Sequence, residues 1–133
     1  MIILAKEKAN PHEEIMKGVQ EQLKEILEES KQAIYVYLDD HHIIYNQNFA
    51  SLLGYKTVKE LSAEKKPFVE AFIKEESGEV LVHAYKHAME DKIASDIEIS
   101  LKMKTGEIVK TKTIMVPISY DGELLALHFI KKI

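Results

Sequence analysis

Six histidines and no cysteine bound the chemistry open to this 133-residue chain. Without a thiol there is no disulfide, no thiolate metal ligand and no cysteine nucleophile, so any reaction falls to oxygen and nitrogen groups or to a bound cofactor. His83 and His87 stand four residues apart, the spacing that puts two imidazoles on one helix face, where they can clamp a metal. The intervening Ala84-Tyr85-Lys86 lacks the glutamate that a zinc peptidase helix uses as general base, so a hydrolase reading fails there. Asp40-His41-His42 superficially matches a manganese phosphoesterase motif, but that chemistry needs further aspartate ligands and a much longer chain. A polar hairpin turn accounts for it better, and the paired Asp39 and Asp40 read the same way, as turn carboxylates that cap backbone groups. No metal site is expected. An enzyme with His87 or Asp39 as base is the weakest reading, because no acid and base stand at a spacing that brings both into one cleft; the chain is expected not to be an enzyme.

The charge balance narrows the partners. Eighteen basic residues against 22 acidic ones leave a net charge of -4, so there is no concentrated positive surface for a polyanion and nucleic acid is not an expected partner. Lys102, Lys104, Lys110 and Lys112 gather on one segment, but Glu98 and Glu107 lie among them. The pattern reads as a solvated sheet edge that discourages aggregation. Met1-Ile2-Ile3-Leu4-Ala5 is apolar but is broken by Lys6-Glu7-Lys8, far short of the roughly 18 to 20 residues of a membrane span. A soluble cytoplasmic protein is expected. Its 46% hydrophobic content supports one compact domain whose core needs neither metal nor disulfide.

Side chains act only where folded elements hold them. Asn10-Pro11-His12-Glu13 combines an N-cap residue, a proline at the first helical position and a nearby glutamate, which starts a helix running to about residue 31. Within it Met16, Val19, Leu23, Ile26, Ser30 and Ala33 fall at alternating steps of three and four, with Ile15 and Leu27 widening the stripe. So short a seam is stable only against something else: the domain's own sheet, a second copy of the chain, or both. Homodimerisation through Met16, Val19, Leu23 and Ile26 is expected, and the chain divides into this N-terminal segment, 1–31, and a domain over 32–133.

After the helix the apolar period shortens. Residues 33–38 are aromatic and β-branched, Asp39-Asp40-His41-His42 is a polar break, and 43–45 form a second run, together a β-hairpin. Phe49, Leu52 and Leu53 return at helical spacing until Gly54. Thr57-Val58-Lys59-Glu60 is a capping box, and Pro67 opens another short helix with Phe68, Val69, Phe72 and Ile73 on one side. Ser77 is placed to cap a longer helix that buries Val80, Leu81, Ala84 and Ala88. Asn46 is suited to cap the first of these helices or to tie the hairpin end to it.

The last third predicts three strands. A loop at Lys104-Thr105-Gly106, with Gly106 left-handed, pairs Leu101 with Val109, Ile99 with Thr111, Ile97 with Thr113 and Glu98 with Lys112. A tight turn at Asp121-Gly122 opposes Ile118 with Leu125, Val116 with Leu127 and Ile114 with Phe129. The final strand then carries Leu125, Leu127 and Phe129 on one face and Leu124, Ala126 and Ile130 on the other; Ile34, Val36 and Leu38 against Tyr35 and Tyr37 repeat the pattern. Strands apolar on both faces must be covered on both.

Asn46-Gln47-Asn48-Phe49-Ala50-Ser51-Leu52-Leu53-Gly54-Tyr55 resembles the asparagine-to-glycine-tyrosine stretch of PAS domains, and Thr57-Val58-Lys59-Glu60-Leu61 resembles the capped helix that follows it. Lys104-Thr105-Gly106-Glu107 is similar to the family's glycine hairpin before a long strand, and Pro117-Ile118 resembles the family's residues near the end of that strand. The likeness covers residues 32–130 and rests on the order and spacing of these short motifs together. It implies an α+β fold with a five-stranded antiparallel sheet in the order 2-1-5-4-3, short helices on one face enclosing a small cavity, and an amphipathic N-terminal helix available for dimerisation. It also implies signal sensing or protein interaction, in which a small apolar or aromatic ligand biases how the N-terminal helix packs on the sheet.

The resemblance places Phe49, Leu53, Tyr55 and Phe72 around that cavity, with Leu81, Tyr85 and His87 from the long helix and Ile99, Leu101, Thr111, Thr113 and Met115 from the strands. Thr111 and Thr113 share a strand face with Val109 and Met115, so their hydroxyls either select a ligand on an apolar wall or bond locally in a filled core. Tyr37, Tyr55 and Tyr85 can aim hydroxyls inward, although tyrosine more often packs with its tip wet. The missing cysteine excludes the light sensors that form a flavin-cysteine adduct and those that attach a chromophore to cysteine; noncovalent flavin stays open. Haem-binding relatives carry an axial histidine on the helix that here follows Ser77, at a position nearer Val80 than His83 or His87, so the cofactor is left unassigned. Two departures stand out. Asn48 replaces a small or apolar residue, and the chain stops at His128-Phe129-Ile130-Lys131-Lys132-Ile133 without an output helix, so signalling in trans through a partner, or from within a larger sensor, is expected. A purely structural dimerisation domain with a filled core is the alternative.

Overall fold

The computed structural model describes residues 11–133, so the expected cap at Asn10 and the apolar start of the chain lie outside the described residues. Five antiparallel strands, β1 (Ala33–Asp39), β2 (His42–Tyr45), β3 (Ser95–Lys102), β4 (Ile108–Tyr120) and β5 (Glu123–Lys132), form one sheet in the order β2-β1-β5-β4-β3. Turn chemistry sets the register as the sequence predicts. Leu101 pairs with Val109, Ile99 with Thr111 and Glu98 with Lys112, while Ile118 meets Leu125 and Ile114 meets Phe129. Gly106 turns the first loop at φ 94°; Asp121 and Gly122, at φ 49° and 83°, make the left-handed pair of a type I′ turn.

Among the described residues six helices flank the sheet: α1 (Pro11–Gln22), α2 (Lys24–Glu29), α3 (Gln47–Leu52), α4 (Val58–Ser62), α5 (Phe68–Phe72) and α6 (Glu75–Asp91). The single N-terminal helix expected from periodicity is interrupted at Leu23, where φ is -95° and ψ 6°. Leu23 N–H still donates to the Val19 carbonyl and Leu27 N–H to that of Leu23, both at 2.9 Å, so the chain continues in the same direction. From α1, Ile15, Met16 and Val19 pack on the back of the sheet against Ile34, Val36, Leu38, Ile44, Leu125 and Leu127. Gly18 permits that approach, because a Cβ there would land on the Tyr120 ring. Met16 and Val19, half of the expected dimer stripe, are thus buried within the chain, whereas Ile26 is 44% exposed.

The other face of the sheet packs Tyr35, Ile99, Leu101, Met115, Ala126 and Ile130 against Phe49, Leu53, Leu61, Phe68, Phe72, Leu81 and Ala84 of the short helices and α6. The central strands β1 and β5 are therefore covered on both sides, which is why their sequences lack a polar face. Asn46 locks this arrangement together. Its Oδ1 accepts from Ile34 N–H and Phe49 N–H, each at 2.9 Å, and its Nδ2 donates to the Gln32 carbonyl at 3.0 Å, so it both caps α3 and ties that helix to β1. Asn48 Nδ2 donates to the Ser30 carbonyl at 2.7 Å, fastening α3 to the end of α2.

Several local expectations yield to packing. Asp39 and His42 belong to the strands, leaving Asp40-His41 as the turn, because the Asp39 carboxylate accepts from His41 N–H at 2.9 Å and from His42 Nδ1 at 2.8 Å. Ser77 does not cap α6, which starts at Glu75; its hydroxyl accepts from Ser100 N–H at 2.8 Å and ties α6 to β3. Val69 and Val80 are 37% and 42% exposed, since Phe68, Phe72, Leu81 and Ala84 already fill the interior. Among the described residues no helix is long and apolar enough to cross a membrane.

Candidate functional site

A row of three side chains crosses the inner face of the sheet. Tyr35 on β1 lies opposite His128 on β5, and His128 lies opposite Met115 on β4. Over them Phe68 of α5 and Leu81 and Tyr85 of α6 leave a cleft of about 80 Å³, whose solvent side is formed by the exposed Val69 and Val82. The Tyr35 and His128 rings stack at 3.8 Å with 12° between their planes, and Phe68 leans on Tyr35 at 4.6 Å.

The polar atoms of that stack are anomalous. Tyr35 and His128 are 1% and 2% exposed, yet the Tyr35 hydroxyl and His128 Nδ1 have no hydrogen-bond partner. Buried polar groups are nearly always paired, and each unpaired one costs about 1–3 kcal/mol. Burial pushes the His128 imidazole down to about 3, only partly opposed by the backbone carbonyls of Tyr35 and Ala126, so the ring is neutral. Burial, reinforced by Tyr45 and Tyr37, raises the Tyr35 phenol well above its ordinary range, so it keeps its proton. The cleft is thus lined by a neutral histidine and a protonated tyrosine among otherwise largely apolar side chains.

Of the residues expected around a cavity, Leu81, Tyr85 and Met115 do line this cleft. Phe49, Leu53, Phe72, Ile99 and Leu101 are buried in the core that supports it. Tyr55 is half-buried at the far end of the helical layer, edge-on to Phe72 at 6.3 Å and under the Lys104 ammonium at 5.8 Å. Thr111 and Thr113 face inward, but their hydroxyls are spent locally: Thr111 Oγ1 donates to the Ile99 carbonyl at 2.9 Å and lies 3.3 Å from Thr113 Oγ1. His87, which the resemblance puts at the cavity, does not reach it. It faces solvent and pairs with Asp91 at 3.1 Å, one turn on, because Ala84 and Ala88 occupy the inward positions of α6.

Sequence reasoning passed over His128 and the tip of Tyr35. The signal was present, since strand alternation between Ala126 and Ile130 forces residue 128 onto the inner face. Neither haem nor flavin fits: the cleft is far below the roughly 300–1,000 Å³ of a drug-sized site, and His83 and His87 are both exposed. A larger groove of about 300 Å³ runs between α1, α2 and the start of α3, but Gln20, Lys24, Glu28, Gln47 and Asn48 make it a solvated surface without an unpaired buried group.

No family model matches the sequence, and no curated protein matches it. Solved structures do. A PAS domain from Colwellia psychrerythraea is 22% identical, with a TM-score of 0.67 over 86% of this chain and 97% of that one. The PAS domain of an HTR-like protein from Haloarcula marismortui, 18% identical, gives 0.61 over 92% and 98%. That of nitrogen regulation protein NR(II) from Vibrio parahaemolyticus, 12% identical, gives 0.62 over 82% and 95%. With the strand order, the two-sided burial of β1 and β5 and the short inner helices, these likenesses establish that the chain has the PAS fold.

Proposed function

We propose that the chain is a signal-sensing module that admits a small, largely apolar molecule with one polar group into the cleft over Tyr35, His128 and Met115, and passes its occupancy to α1 through the sheet. The observation that carries this reading is that Tyr35 and His128, each with a buried polar atom that lacks a partner, both line an apolar recess. A ligand hydroxyl or amide there accepts from the Tyr35 O–H and reaches the imidazole edge, supplying hydrogen bonds that the fold itself does not give these groups. Strands β1 and β5 carry cleft residues on one face and α1 contacts on the other, so a shift of Tyr35 or His128 is felt by Ile34, Leu127 and the helix behind them. One of the similar structures belongs to a nitrogen regulation protein, which agrees with a regulatory role.

Homodimerisation belongs to the same proposal, now centred on the exposed Ile26, because Met16 and Val19 are engaged by the chain's own sheet and Leu23 packs partly against it. The module works in the cytoplasm and signals to a partner protein in trans or to a further domain. Native mass spectrometry of freshly purified protein, with its absorbance spectrum, tests the sensor reading. The wild type is expected to carry an added small mass that the His128→Phe variant lacks. Identical bare masses favour a structural dimerisation domain, a reading that the close filling of the core by Phe49, Leu53, Leu101 and Met115 also supports.

A further inference from the structure

His12, Asp39 and His42 come from three separate elements: the first turn of α1, the end of β1 and the start of β2. Nδ1 of His12 lies 2.8 Å from Asp39 Oδ2, and Nδ1 of His42 lies 2.8 Å from Asp39 Oδ1. Donor atoms from all three lie within 4.8 Å of one another, and among the described residues this is the only group of three such side chains so placed. From this geometry we infer a site for a divalent transition-metal ion of the zinc class, held by His12, Asp39 and His42, that fastens the start of α1 to the β1–β2 hairpin.

The donor set selects the ion. Two imidazoles and one carboxylate suit zinc and its neighbours, whereas calcium and magnesium require mostly oxygen. In a tetrahedral site with bonds of about 2.0–2.2 Å, ligand atoms sit roughly 3.3–3.5 Å apart; the two 2.8 Å contacts reach different oxygens of Asp39, and the one-atom-per-residue set lies within 4.8 Å, so small side-chain rotations bring one oxygen and two nitrogens to that spacing. The His12 and His42 rings meet edge to face, 5.5 Å apart at 88°, and so approach the carboxylate from different directions. A carboxylate only accepts, so both Nδ1 atoms carry the proton in the metal-free form. On binding, the ion displaces that proton and takes the Nδ1 lone pair of each ring. His41 N–H, donating to Asp39 Oδ1 at 2.9 Å, steadies the carboxylate as an outer hydrogen bond does in metal sites. The side chains of His12 and Asp39 are 39% and 36% exposed, which gives the ion a path in and leaves water as its fourth ligand.

The consequence is mechanical. α1 covers the back of the sheet, so an ion joining its first turn to the hairpin ties down the helix through which the module is proposed to signal, without requiring that the inner cleft bind anything. The test is calorimetric titration of ZnCl2 into the chelator-stripped 133-residue chain, with thermal melts on the same samples. One ion per chain is expected, with a rise in Tm of several degrees at saturation. His12→Gln and His42→Gln should each weaken binding at least tenfold and lose the zinc-dependent rise in Tm measured from the variant's own metal-free melt. His87→Gln, on the exposed His83–His87 face, should bind as the wild type does. The inference is overturned if no zinc binds, or if His87→Gln removes binding while His12→Gln keeps it. Asp39→Asn also disturbs the turn, so its affinity counts only if its circular dichroism is native. CoCl2 supplies a second readout, since loss of its visible absorption bands in His12→Gln reports the change of ligands directly.

Discussion

Tyr35 and His128 stack across the β1–β5 ladder at 3.8 Å, and each keeps a buried polar atom with no partner. The stacking itself is favourable, so the cost lies in the unpaired hydroxyl and Nδ1 rather than in poor packing. Replacing His128 with phenylalanine keeps an aromatic ring there and removes one unpaired group. We expect His128→Phe to stabilise the fold by about 1 kcal/mol in chemical denaturation at pH 7 while losing ligand binding.

The same histidine makes the fold acid-sensitive. Folded His128 stays neutral down to about pH 3, whereas in the unfolded chain it takes up a proton near its ordinary value of 6.5. Between these limits the unfolded state binds more protons, so stability falls as pH drops through the window, by about 1 kcal/mol per pH unit. Urea denaturation of the wild type from pH 7 to pH 4 should show this slope in excess of that of His128→Phe; parallel slopes would place the ring in water.

Asn46 should prove structural. Asn46→Ala strands the buried Ile34 N–H and uncaps α3, for a loss of roughly 2–4 kcal/mol. Asn46→Asp keeps the acceptor but loses the donor to the Gln32 carbonyl and buries a charge, and should also be destabilising. Equilibrium unfolding separates these from a ligand-contact role, which would leave stability unchanged.

Gly18 offers a change of sign. Its missing Cβ makes room for the Tyr120 ring, so Gly18→Ala should destabilise by about 1 kcal/mol or more as that ring is displaced. In a Tyr120→Ala background the clash disappears, and the same substitution should stabilise by up to about 1 kcal/mol through helix propensity. Additive effects in the double-mutant cycle would mean that the two residues do not touch.

Ile26→Lys probes the proposed dimer without disturbing the core, because Ile26 is 44% exposed. Light scattering is expected to give the monomer mass for the variant at concentrations where the wild type is dimeric, with Tm of the diluted monomer unchanged. A dimeric Ile26→Lys chain would move the interface off α2.

How much of this could be read in advance depends on the range of the interactions. Strand register came from Gly106 and Asp121-Gly122, whose backbone angles are local, and two-sided burial followed from the alternation in residues 124–130. Ser77 was misplaced because a tertiary contact decided it, its hydroxyl bonding to Ser100 on another element; His87 was placed inward by the resemblance alone, against the Ala84 and Ala88 spacing that already points it outward. The Asp39 cluster escaped because His12 lies 27 positions away and only the docking of α1 brings it in. His128 was legible by alternation, but nothing local signals that its Nδ1 goes unpaired.

The most direct measurement is NMR of the chain with its Met115 methyl and His128 ring labelled, titrated with phenol as a small apolar molecule bearing one hydroxyl. Saturable shifts at both probes, lost in a Leu81→Trp variant that plugs the cleft while remaining folded, are the predicted result. Shifts that do not saturate, or that leave Met115 and His128 untouched while other sites respond, would contradict a recognition site over the Tyr35–His128 stack.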